Sequence, residues 1–66
     1  MNTRLELTSE EATELDDLLE GAVSDLSMEI ANTDSYDYRK KLKLRRDALA
    51  AVRRKLNAAT EAAVET

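Results

Sequence analysis

Apolar residues recur through the first half of the chain at Ala12, Leu15, Leu19, Ala22, Leu26 and Ile30, with Leu18 and Val23 on the flanks. This three-and-four spacing predicts one face of an α-helix, an arc of roughly 140°. Just ahead of it, Thr8, Ser9, Glu10 and Glu11 give the Thr-x-x-Glu pattern of a capping box. In that geometry the Thr8 hydroxyl accepts from the Glu11 backbone N–H and the Glu11 carboxylate reaches back, while Leu7 is placed to staple onto Ala12. Glu10, Glu11, Glu14, Asp16 and Asp17 lie at the end where the helix macrodipole favours negative charge. The pattern therefore predicts a first helix over about residues 8–31, preceded by a short extended segment over 1–7, in which Leu5, Glu6 and Leu7 alternate.

The stripe is interrupted at Asn32, Thr33 and Asp34. Asn tolerates the left-handed conformation that ends many helices, and Asp34 followed by Asp37 resembles a second N-cap with an acid at its third position. A second stripe then runs Tyr38, Leu42, Leu49, Val52, Leu56, Ala59 and Ala63, a heptad seam in which Arg45 holds the one place where an apolar residue is expected. This predicts a helix over about residues 35–60 and a fraying, Ala-rich tail over 60–66. With Leu44, Ala48 and Ala51 on its flank, the small or apolar arc widens to roughly 180°, more than one neighbouring helix covers.

So short a connection makes the helices antiparallel neighbours. Aligning the stripes sets Ile30 near Tyr38, Leu26 near Leu42, Leu19 near Leu49, Leu15 near Val52 and Ala12 near Leu56. A lone hairpin leaves half of each stripe in water, and a long exposed apolar strip marks an association surface. The expected fold is a single all-α domain over residues 1–66, an antiparallel helical hairpin that dimerises into a four-helix bundle. Its core and dimer contacts are expected from Leu15, Leu19, Leu26, Ile30, Tyr38, Leu42, Leu49, Val52 and Leu56.

Composition strengthens the case for association. A core built from 66 residues seldom supplies more than about 3–5 kcal/mol. The chain has no Cys and no His, which removes disulfides and the usual ligands of a structural metal. One Gly, no Pro, no Phe, no Trp and 36% charged residues argue against a β-rich fold. No apolar run reaches the length of about 18 residues that a membrane span needs, and the first eight residues are too polar for the middle of a secretion signal, so a cytoplasmic location is expected.

The segment Ser24, Asp25, Leu26, Glu29, Ile30, Ala31, Thr33, Asp34, Tyr38, Arg39, Leu42, Lys43 and Arg45 resembles a group of small uncharacterised bacterial proteins. That group carries an N-terminal Leu-x-Leu-Thr-x-Glu-Glu and a central SDLxxEIAxTDxxxYRxxLKxR. The likeness covers about residues 5–50, and Leu44 departs from it by standing where a charged residue is expected. The resemblance implies a bacterial helical hairpin and carries no activity, ligand or catalytic residue with it.

Charge is segregated beneath the net value of −4: the first helix holds eight acids and no base, while nine of the ten Lys and Arg residues fall between Arg39 and Lys55. One consequence is that unlike helices attract and like helices repel, which selects among pairings. The other is that Arg39, Lys40, Lys43, Arg46, Arg53 and Arg54 form a basic face that binds phosphate, as dimeric bundles of the plasmid copy-control type bind RNA through helix faces. The acidic total and the absence of interleaved aromatic residues count against that second reading.

Single residues add little chemistry. Arg45 on the seam needs a carboxylate, with Asp25 first and Glu29 second, as a buried ion pair. Gly21 in mid-helix predicts close helix approach or room for Arg45. Tyr36 and Tyr38 are expected to cover one end of the core. With no His or Cys, no glycine-rich loop, and no Ser beside a recognisable base, no catalytic residue, cofactor site, metal site or small-molecule site is expected. The predicted role is a non-enzymatic protein-interaction or regulatory module, with a nucleic-acid-binding bundle as the alternative.

Overall fold

The computed structural model describes residues 2–64, with side chains through residue 59. Over the tail expected to fray at 60–66 the helical backbone continues to Val64, and residues 65–66 lie outside the described residues. Two helices, α1 (Ser9–Asn32) and α2 (Tyr36–Val64), pack against each other as a hairpin. Residues 2–8 have no regular structure.

Helix α1 begins as the capping box dictates. The Thr8 N–H donates to Glu11 Oε1 at 2.9 Å, and the Glu11 N–H donates to Thr8 Oγ1 at 3.1 Å. Two of the donors that every helix start leaves orphaned are thereby satisfied. Thr8→Ala is expected to cost about 1 kcal/mol, and a thermal melt followed by circular dichroism should shift down by about 4–8 °C.

The turn differs in detail from the expected one. Asn32 is the last residue of α1, and Thr33 ends it in extended backbone, φ −87° and ψ 139°, with its N–H donating to the Glu29 carbonyl at 2.9 Å. Among the described residues no φ is positive, so no left-handed residue terminates the helix. Helix α2 is capped by Ser35 rather than Asp34: Ser35 Oγ accepts from the Tyr38 N–H at 3.3 Å, and its carbonyl accepts from Arg39. Asp37 sits in the first turn, where the macrodipole favours it.

The interior is thin. Among the described residues only Leu19 and Leu42 are buried, each 6% exposed, while Leu15, Ala22, Val23, Leu26, Ile30, Leu49 and Leu56 are half-buried. The seam of α2 that faces α1 runs Arg39, Leu42, Arg46, Leu49, Arg53 and Leu56. This corrects the expected inward seam: Tyr38 and Val52 stay 50% and 46% exposed, and Arg45 is exposed as well. The physical reason is that an arginine packs its aliphatic stem against a neighbour while its head reaches solvent or a carboxylate. The level of the two helices is marked by Asp16 meeting Arg53, within one or two residues of the expected alignment.

Gly21 does not mark a close approach. It is exposed, its φ is not positive, and a Cβ built there meets nothing within 4 Å. A mid-helix glycine in open space costs conformational entropy without a packing return, so Gly21→Ala is expected to stabilise the chain by about 0.5–1 kcal/mol. A rise in the urea midpoint with an unchanged slope would register it.

Candidate functional site

The two heptad sets of α2 share Leu42, Leu49 and Leu56. Arg39, Arg46 and Arg53 flank this leucine row on one side, and Tyr38, Arg45 and Val52 flank it on the other. The arginine side is closed against α1. Arg53 Nε donates to Asp16 Oδ1 at 2.9 Å, and its terminal nitrogen lies 3.5 Å from Glu20. Arg39 donates to the Thr33 carbonyl and ties the start of α2 to the end of α1. Arg46 turns to its neighbour Asp47 at 3.1 Å.

Arg53 sets the electrostatics of that edge. Its hydrogen bond and charge hold the Asp16 carboxyl below the ordinary 3.8, with a hydrogen bond from Asn57 assisting. Asp16 in turn raises the already high arginine pKa. Because the folded-state pKa of Asp16 is depressed, the contribution of this pair is complete at neutral pH. It is lost as pH falls below about 4 and through the folded value. Asp16→Asn should therefore remove part of the acid sensitivity of the fold below pH 4, measurable by comparing helical signal in acid titrations of the two chains. The carboxylates of Asp16, Asp17 and Glu20 come within 4.8 Å of one another, and Arg53 pairs with the first and the last of them.

The opposite side is open. On a helix of 3.6 residues per turn, Leu18, Ala22, Asp25 and Glu29 stand about a quarter turn from Leu19, which faces α2. Lys41, Arg45, Val52 and Ala59 stand about a quarter turn from the inward direction of α2. Both sets emerge on one face of the hairpin. Asp25, Glu29 and Tyr38 line a common surface depression there, whereas Val23, Ala50, Arg53 and Asn57 share one on the opposite side. Leu18, 68% exposed, and Val52 are the apolar centre of this open face, with half-buried Leu15, Leu49 and Leu56 beneath.

Arg45 and Asp25, expected as a buried pair, both lie on the open face. Both are exposed, and among the described residues neither makes an ion pair within the chain. They are near one another in level along the hairpin but on different helices, directed outward. Of the six residues assigned to a basic face, Arg39, Arg46 and Arg53 are drawn onto the seam and half-buried, and Lys40, Lys43 and Arg54 remain exposed. What the sequence did not reveal is the inward role of those three arginines. Their seven-residue spacing beside the leucine row was the available signal.

The surface exposed is large for the mass. The chain presents 5808 Å² of accessible area, whereas a compact monomer of 7.4 kDa presents about 4200 Å². Its radius of gyration is 14.3 Å against about 11 Å for a compact domain of this length. Comparison with models of known protein families, with curated proteins and with solved structures finds no match for this chain. Among the described residues, no helix is long and apolar enough to cross a membrane.

Proposed function

We propose that the chain is a non-enzymatic interaction or regulatory module that works as a homodimeric four-helix bundle. The observation that carries this reading is the open face, where Leu18 and Val52 stand exposed above the row of Leu49 and Leu56 while only two side chains among the described residues are buried. An apolar face of that extent on a chain without disulfides favours association, because the hairpin alone buries too little to stabilise itself. A cytoplasmic, bacterial setting belongs to the same proposal and rests on the composition and on the likeness of residues 5–50 to small bacterial hairpins.

Three of the six cations of the alternative nucleic-acid face are engaged on the seam or with neighbouring groups. The charge left for a phosphate backbone is Lys40, Lys43 and Arg54, on a chain of net charge −4. This favours self-association as the role of the charged helices.

Sedimentation equilibrium at micromolar concentration, with circular dichroism on the same samples, tests the proposal. A helical dimer whose melting temperature falls on dilution is the expected result, since folding and association are linked by mass action. A compact, stably folded monomer would overturn it.

A further inference from the structure

We infer that two copies associate through the open face about a twofold axis parallel to the helices, with both turns at the same end, so that Arg45 of each copy pairs with Asp25 of the other. This rests on the dimer proposed above and adds its topology and the residues that select it.

The open face carries opposite charge on its two helices. Its α1 side presents Asp25 and Glu29, and its α2 side presents Lys41 and Arg45. Two identical faces can meet about an axis along the hairpin or about one across it. An axis across the hairpin lays α1 on the partner's α1 and α2 on the partner's α2. Acids then oppose acids and bases oppose bases, over an apolar centre where water is excluded. An axis along the hairpin lays α1 on the partner's α2 instead, and every helix then has antiparallel neighbours of opposite charge. Like-charge contacts of the first kind oppose association at an interface and unlike contacts of the second fix register, so charge decides between the two.

The level of the residues agrees with this choice. With both turns at one end, each residue of α2 keeps the height it has in its own hairpin, where Asp16 meets Arg53. By that register Arg45 lies level with Ser24 and Asp25, so it reaches across to the partner's Asp25. Glu29 is a turn nearer the connection. Arg45, exposed on the open face and without an ion pair among the described residues of its own chain, thus finds its partner in the second copy.

A charge exchange tests the pairing. Chains carrying Arg45→Asp and Asp25→Arg each place like charges at both contacts of their own dimer, and each should self-associate about tenfold or more weakly than the unaltered chain. Mixed in equal amounts they place opposite charges at both contacts, and the mixture should form a heterodimer close to the original affinity. If each variant dimerises as before, or if mixing restores nothing, the pairing is overturned.

Topology is read separately on the otherwise unaltered chain by a spin label on Asp34→Cys, in the exposed turn. A label separation under half of the 47 Å length of the hairpin supports the common end. A separation near that full length in a confirmed dimer overturns the topology while leaving the dimer intact, whereas a monomer in sedimentation overturns the underlying reading.

Discussion

Leu19→Ala is expected to leave the chain largely unfolded at micromolar concentration and room temperature. Leu19 is one of only two buried side chains among the described residues, and it faces the leucine row of α2 from the middle of α1. Its truncation removes burial and leaves a cavity, a combined cost of about 2–5 kcal/mol. A domain this small holds about 3–5 kcal/mol in total, so the loss consumes most of it. Leu42→Ala should behave alike, because Leu42 is the buried residue of α2. Helical signal in circular dichroism and a urea titration measure both. A Leu19→Ala chain that melts within a few degrees of the original would show that the interior is organised around other residues.

Much of the fold was legible in the sequence, and the reasons differ from element to element. Both helices and their antiparallel pairing follow from the three-and-four spacing and a short connection, and the start of α1 follows from four residues, Thr8 to Glu11, whose capping chemistry is local. The turn was placed within a residue or two. Its cap was misassigned because Asp34 and Ser35 are both good N-caps, and only the observed Ser35–Tyr38 hydrogen bond separates them. Gly21 was read as a packing device, but its surroundings are open, and nothing in the structure explains the glycine.

The seam of α2 failed for a more general reason. Leu42, Leu49 and Leu56 belong equally to the sets that include Tyr38 and Val52 and to the sets that include Arg39, Arg46 and Arg53. Apolar letters pointed to the first. The hairpin uses the second, because long arginine stems cover the α1 surface and their heads reach Asp16, Glu20 and the Thr33 carbonyl. Apolar periodicity showed that α2 has more than one neighbour to satisfy, but it could not say which neighbour takes which flank. The same ambiguity displaced Arg45, read as buried between the helices and found on the open face.

That division of labour predicts a sharp contrast between two exposed apolar positions of α2. Val52→Asp puts a carboxylate at the apolar centre of the open face, among Leu18, Leu49 and Leu56, where a second copy would desolvate it. Burying an unpaired charge costs several kcal/mol, so the dimer should dissociate. Because among the described residues the single hairpin buries only Leu19 and Leu42, its helical signal should fall along with association. Leu44 is more exposed than Val52, 65% against 46%, but it stands on the back of α2, away from both α1 and the open face. Leu44→Lys should change stability by no more than about 0.5 kcal/mol and leave sedimentation unchanged. If exposure alone governed the response, Leu44 and Val52 would tolerate a charge equally. Sedimentation and circular dichroism on the two variants decide the matter, and a Val52→Asp chain that remains a helical dimer would show that the open face is not where the copies meet.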